Sequence, residues 1–251
     1  MCGIAGWFRY GDVKPTETEL TSLFTSLQTR GTDAAGIAWI KDGSIRLLKA
    51  PVRASEFVEL PDFKKVTPDI LDADWVLLHC RQATNGSPRM NENNHPIFNK
   101  RGMIIHNGVV TVDKALRAGG ETDSEQMMLY VQKYGWEEGL SKVSGFLAIA
   151  YVDFMVPGFY LYAHNAPIDW TYDFRREMFI FCSTKHIMEQ GFGHLETKGT
   201  PDDTVYHVGY NHRITEIGKF KTKPFTCTYW KGGKYYARTT PDYLGYPYDF
   251  C

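Results

Sequence analysis

Short runs of apolar, strand-forming residues recur along this 251-residue chain and constrain its fold more than any other feature. Residues 4–8 (Ile-Ala-Gly-Trp-Phe), 75–78 (Trp-Val-Leu-Leu) and 103–105 (Met-Ile-Ile) read as buried strands. Residues 37–40 and 45–48 flank Asp42-Gly43, a dipeptide that predicts a tight hairpin turn. Three further strand candidates, residues 144–153, 159–163 and 178–182, are continuously apolar, which predicts burial on both faces. Residues 16–29 have helical periodicity, with Leu20, Leu23, Phe24 and Leu27 on one face and Glu17 and Glu19 near the start. A second helix is expected after Gly119-Gly120-Glu121, with Thr122 or Asp123 as N-cap and Met127, Met128 and Val131 on its apolar side. Residues 52–74 predict only a short helix over about 55–60, and Ser183-Thr184 caps another through Ile187 and Met188.

Composition narrows the functional classes. A net charge of −1 with no long basic run argues against a nucleic-acid surface. No apolar stretch approaches the roughly 20 residues of a membrane helix, and the apolar N-terminal run is too short for a secretory signal. Cys2, Cys80, Cys182, Cys227 and Cys251 lack CxxC spacing, which argues against a disulfide framework or a cysteine zinc site. His186, His194, His207 and His212 show no metal-ligand spacing, so no metal or cofactor is expected, and a reduced, cytoplasmic location is. With no linker or repeat, the chain reads as a single domain over residues 1–251, with an aromatic extension of unread role from about residue 225.

Chemistry-bearing residues cluster at the ends of the apolar runs. Cys2, once exposed by loss of Met1, would carry a thiol and a free α-amine, a nucleophile and a base on one residue. Taken alone, a cysteine at position 2 is more often an ordinary small residue. Arg30-Gly31-Thr32-Asp33-Ala34-Ala35-Gly36 has two glycines that allow close approach of another segment, although Arg30 and Asp33 also suit a simple ion pair. The 75–78 strand delivers His79-Cys80-Arg81-Gln82-Ala83-Thr84-Asn85-Gly86, and Arg81 there calls for an anionic partner. The asparagines up to Asn94-His95-Pro96 suit local backbone hydrogen bonds. Asn107 and Gly108 offer a side-chain amide and an unobstructed N–H to an oxyanion, against the default reading of Asn-Gly as a hairpin turn. Asp123 suits either a helix cap or a substrate ammonium.

Six motifs stand in order over about half the chain: Cys2-Gly3-Ile4, Arg30-Gly31-x-Asp33-x-x-Gly36, His79-x-Arg81-x-Ala83-Thr84-x-Gly86, Asn94-His95-Pro96, His106-Asn107-Gly108 and Thr122-Asp123-x-Glu125. In these the chain closely resembles class II glutamine amidotransferases, the N-terminal-nucleophile glutaminases. The resemblance implies an α+β fold, a four-layer αββα sandwich. It also implies Cys2 as nucleophile with its own amine as base, and Asn107 and Gly108 as oxyanion hole. By the same resemblance Arg81 holds the α-carboxylate of L-glutamine and Asp123 its α-ammonium. Thr84, Asn85 and Gly86 then belong to a loop closing over the substrate, and Arg30 and Asp33 support the nucleophile.

Gln82 and Asn85 depart from the family, whose members often carry an aromatic residue or a histidine there; the departure bears on loop closure and coupling to an acceptor. No phosphate-binding loop or nucleotide motif follows, so a free-standing glutaminase serving a separate ammonia-accepting synthase subunit is expected. Two other readings stay open: an N-terminal-nucleophile hydrolase of another γ-glutamyl or amide substrate, and a non-catalytic glutamine-sensing module.

Overall fold

The structure is a computed structural model that describes residues 1–112, 122–211 and 213–223 in full, and the backbone of residues 225–231 and 234–240. The expectations for residues 119–121, for His212 and for the aromatic side chains from residue 225 onward lie outside the described residues.

In chain order, β1 (Gly3–Arg9) leads to α1 (Glu17–Leu27) and the hairpin of β2 (Ala34–Lys41) and β3 (Ser44–Ala50). Two helices, α2 (Ala54–Phe57) and α3 (Pro61–Leu71), precede β4 (Trp75–Arg81), β5 (Ile97–Phe98) and β6 (Gly102–Val112). Then come α4 (Asp123–Ser141), β7 (Val143–Asp153), β8 (Phe159–His164), β9 (Asp169–Asp173) and β10 (Met178–Cys182). The described chain closes with α5 (Lys185–Phe192), β11 (Lys198–Gly199), β12 (Thr204–Val208), β13 (Ile214–Lys219), β14 (Phe225–Lys231) and β15 (Lys234–Thr240).

Two antiparallel sheets carry the fold. One runs β11-β9-β10-β1-β4-β2-β3, the other β13-β12-β8-β7-β6-β5, and β14 pairs only with β15. Three apolar layers hold them. Outside the first sheet, Leu20, Leu23, Phe24 and Leu27 of α1 pack with Phe57, Phe63, Ile187 and Met188 against Ala5, Trp7, Val76 and Leu78. Between the sheets, Ile4, Phe8, Trp75 and Leu77 meet Met103, Ile105, Ala148 and Ala150. Beyond the second sheet, Ile104, Leu147, Ile149 and Tyr151 pack on Met127, Met128, Tyr130 and Val131 of α4. This is the four-layer αββα arrangement.

It also explains the continuous apolar runs. Along β1, Ala5 and Trp7 face the helices while Ile4 and Phe8 face the other sheet, so both sets of a period-2 pattern are buried. The burial on both faces comes from stacking of antiparallel sheets.

Local signals place most boundaries. Thr16 caps α1 in a capping box with Glu19. Asp42 and Gly43 both have positive φ (52° and 70°), as a two-residue hairpin turn with the right twist requires. Thr122 is the N-cap of α4 and Thr184 that of α5.

Four features differ from the sequence reading. The expected short helix over 55–60 is split into α2 and an additional 11-residue helix, α3, which contains Pro68. Proline interrupts a helical pattern in sequence, yet the packing of Phe63 and Ile70 in the outer core sustains the helix through it. Strand β6 does not end at His106 but continues to Val112, so Asn107-Gly108 is mid-strand and forms no hairpin turn. The polar ends of β9 (Asp-Trp-Thr-Tyr-Asp) concealed a strand, as did the mixed residues of β12 and β13.

Candidate active site

Cys2 sits just before β1, where Gly3 pairs with Cys80 of β4. Its half-buried Sγ lies against the turn after β4: the Gln82 N–H donates to it at 3.4 Å, and the thiol faces the Gln82 carbonyl at 3.5 Å. Burial pushes the Cys2 thiol up, opposed by the Gln82 N–H, the nearby chain terminus and Arg81. Burial pulls the Met1 ammonium down, so with Met1 in place burial holds both the thiol and the amine neutral in this partly desolvated corner and opposes proton transfer between them.

The Arg30–Gly36 segment builds that corner. A Cβ on Gly31 would lie 2.4 Å from the Arg81 carbonyl carbon, so only glycine lets the Arg81-Gln82 backbone pass. Asp33 donates its N–H to the Arg81 carbonyl at 2.9 Å, and its carboxylate accepts from Ala83 N–H at 2.7 Å and Gln82 Nε2 at 3.1 Å. Arg30 Nε donates to the Cys2 carbonyl at 2.9 Å. The close approach expected from the two glycines is present at both: a Cβ on Gly36 would lie 2.0 Å from the His95 carbonyl oxygen.

In front of Cys2 opens a pocket of about 280 Å³. Arg81, Thr84, Asn85, Gly108 and Asp123 line it with Cys2, so six of the ten site residues expected from the sequence converge there; Gln82, His95, His106 and Ser124 contribute too. Arg30, Asp33, Gly86 and Asn107 do not line it.

Arg81 is buried at the end of β4. Its guanidinium donates to Asn94 Oδ1 at 2.8 Å, to the Gly86 carbonyl at 3.1 Å and to the Asn85 carbonyl. It thus already organises the 85–86 turn, and it feels the negative groups at Cys2, Asp33 and Asp123. Asp123, in the first turn of α4, accepts from Val110 N–H at 3.3 Å and from Ser124 N–H at 2.9 Å. The sequence left Asp123 between cap and ligand; Thr122 takes the capping position.

On β6, Gly108 has φ +149°, and a Cβ there would lie 2.1 Å from the Phe146 carbonyl oxygen. Asn107 beside it is fully buried, and neither its Oδ1 nor its Nδ2 has a hydrogen-bond partner. Burying an amide unpaired costs about 1–3 kcal/mol.

Behind the pocket lie three buried histidines. His79 and His95 stack at 4.1 Å between ring centroids, and His95 meets His106 edge-on at 6.5 Å. His79 Nε2 donates to the His106 carbonyl at 3.0 Å, and His106 Nδ1 is 2.9 Å from Ser124 Oγ. Burial drives all three down, His79 to about 3. Because the unfolded chain binds these protons near 6.5 and the folded chain does not, stability is complete above that pH and is lost as pH falls toward 3. Each such site contributes a slope of about 1.4 kcal/mol per pH unit inside the window. The melting temperature is therefore expected to fall steeply below pH 6, and less steeply in His79→Gln, which keeps a donor but cannot titrate. An unchanged slope in that variant would refute the assignment.

The sequence reading assigned no role to several contributors. Ser183 stands beside the Thr184 cap in sequence, but its Oγ accepts the Ile4 N–H at 2.9 Å and fixes the start of β1. Asn94 and His95 were read as loop residues, but Asn94 orients Arg81 and His95 lines the pocket. The Asn94-His95-Pro96 motif was the available signal. For Ser183 the signal was the looser fit of the Phe181-Cys182-Ser183-Thr184 turn to the family pattern, which does not reveal a partner 179 residues away.

Among the described residues no helix is long and apolar enough to cross a membrane.

No protein-family model matches the chain. Among curated proteins, it is 30% identical over 173 residues to a glutamine–fructose-6-phosphate aminotransferase (isomerizing) of Geobacillus kaustophilus, covering 61% of this chain and 27% of that one. The same enzyme of Caldanaerobacter subterraneus is 32% identical over 145 residues, covering 53% and 22%. The chain thus spans about a quarter of the length of these relatives. Among solved structures, the glutamine phosphoribosylpyrophosphate amidotransferase of B. subtilis superposes with a TM-score of 0.65 at 14% identity, over 88% of this chain and 49% of that one. A glutamine aminotransferase class-II domain protein of Silicibacter pomeroyi does so with a TM-score of 0.53 at 15% identity, over 87% and 99%.

Proposed function

We propose that the chain, which has the N-terminal-nucleophile fold, is a class II glutamine amidotransferase domain that hydrolyses L-glutamine to glutamate and ammonia through a thioester on Cys2. The observation that carries the reading is the convergence of Cys2, Arg81, Gly108 and Asp123 on one small pocket. A free amino acid presents an anion and a cation at one end and an amide at the other. Arg81 and Asp123 meet the first two, and Cys2 meets the third.

Removal of Met1 frees the Cys2 amine. That amine takes the thiol proton, and the thiolate attacks the side-chain carbonyl carbon of glutamine. The carbonyl oxygen becomes an oxyanion held by the Gly108 N–H and the Asn107 amide. The C–N bond then breaks, the ammonium of Cys2 returns its proton to the leaving nitrogen, and ammonia departs. Water, deprotonated by the same amine, hydrolyses the γ-glutamyl thioester and restores the thiol. Arg30 and Asp33 act as supports, holding the Cys2 carbonyl and the Gln82-Ala83 turn. Thr84, Asn85 and Gly86 close the mouth of the pocket. The curated relatives contain a large further portion beyond the matched region, and the ammonia is proposed to pass to a synthase site of that kind on a separate subunit.

The test is release of glutamate and ammonia from L-glutamine by the purified protein, with intact mass on the same sample reporting Met1. Equimolar release by chains lacking Met1 is expected. Failure to turn over glutamine with Cys2 exposed, or a preference for γ-glutamyl peptides, would sink the proposal.

A further inference from the structure

Outside the groups assigned so far, one half-buried cation is tied to the proposed substrate clamp. Lys49 lies on β3 opposite Gly36 of β2. Its Nζ donates to the Asn94 carbonyl at 2.8 Å and to the Pro96 carbonyl at 3.2 Å. Between those two, the His95 carbonyl rests on the bare α-carbon of Gly36. The lysine's own carbonyl accepts from Asn91 Nδ2 at 3.0 Å, so the 91–96 segment is fastened to the strand pair at successive points.

We infer that Lys49 is a positioning residue for glutamine binding, acting through Asn94 on the guanidinium of Arg81. The chain of contacts is continuous: Lys49 holds the Asn94 main chain, Asn94 Oδ1 accepts from Arg81, and Arg81 lines the pocket. Asn94 Nδ2 is fixed in turn by the Pro88 carbonyl at 2.7 Å, so the side chain that meets Arg81 has one orientation. The same lysine sets His95, whose ring lines the pocket and stacks on His79. An ammonium gives two charge-assisted bonds here, stronger than those of a neutral amine.

The groups around Lys49 define how this device responds to pH. Burial lowers it to about 8, Glu92 opposes that shift, and Arg81 adds to it. His95 faces it as a neutral ring, and the Phe98 ring lies 5.5 Å from Nζ. Below about 8 the ammonium is present and Asn94 is held; above it the charge is lost and the clamp loosens.

The inference rests on the glutaminase reading and is tested beside it. Lys49→Met keeps the aliphatic stem and removes the charge. It is expected to raise KM for L-glutamine about 10-fold while kcat stays within about twofold, because the clamp and not the nucleophile is disturbed. Wild-type KM should climb above pH 8, and this limb should move to higher pH in Lys49→Arg and vanish in Lys49→Met. Calorimetric affinity for glutamine in the Cys2→Ala background should fall by the same factor. Unchanged KM and affinity in Lys49→Met overturn the inference while leaving the glutaminase reading intact. So does a matched loss of kcat and melting temperature with an unaltered pH limb, the mark of a merely structural lysine. Absence of both turnover and glutamine binding in the wild type overturns the glutaminase reading, and this inference with it.

Discussion

Cys2→Ala is expected to reduce glutamine hydrolysis to the assay background, a loss on the order of 10⁵–10⁶ in kcat. No other cysteine described in full is placed to replace it. Cys80 and Cys182, the other cysteines described in full, are buried in the outer core with their thiols driven up by burial. The α-amine on residue 2 survives the substitution, but a base without a nucleophile can at best activate water. Binding should persist, because the proposed charged contacts to the amino-acid head group come from Arg81 and Asp123. The check is kinetic and calorimetric: turnover lost, affinity for glutamine within a few-fold, melting temperature preserved. Residual turnover above roughly 1% of wild type would mean that another nucleophile does the work.

Asn107→Ala should separate activity from stability with unusual clarity. Truncating a buried asparagine ordinarily destabilises because its partners are stranded. Here neither polar atom of the amide has a partner, so nothing is stranded, and the variant loses only packing. The fall in kcat should be about 10²–10³-fold, the usual effect of removing one oxyanion donor. The melting temperature should drop little or rise. Steady-state glutaminase kinetics and a thermal scan on the same preparation decide it. A large loss of stability with modest kinetic change would show that Asn107 is a structural residue.

Much of this arrangement was readable from the chain, for identifiable reasons. The helix α1 announced itself through Thr16, Glu19 and four leucine and phenylalanine residues at helical spacing. The hairpin at Asp42-Gly43 followed from two residues tolerant of positive φ. Six of the proposed site residues share one pocket: Cys2 precedes β1, Arg81 ends β4 with Thr84 and Asn85 in the loop after it, Gly108 lies within β6, and Asp123 opens α4. What escaped was set by tertiary contact. Asn107-Gly108 looks like a turn until β7 pairs with it, with Asn107 opposite Ala148 and Gly108 opposite Leu147. Pro68 hides α3 until Phe63 and Ile70 find the core. Lys49 is an unremarkable strand lysine until the segment after Pro88 folds across it.

The pocket draws on both sheets. Cys2 and Arg81 belong to the first, Gly108 to the second, and Asp123 to the helix packed on the second. The spacing between the Cys2 thiol and the Gly108 N–H, the proposed oxyanion donor, is therefore a gauge of the gap between the sheets, about 10 Å in stacked sheets generally. That gap is filled by Ile4, Phe8, Leu77, Ile105 and Ala148, side chains with no part in the chemistry. Under the proposed mechanism the filling of the interlayer acts as a shim beneath the pocket: its thickness, and not only the identity of the reacting groups, would calibrate how closely attack and oxyanion capture coincide.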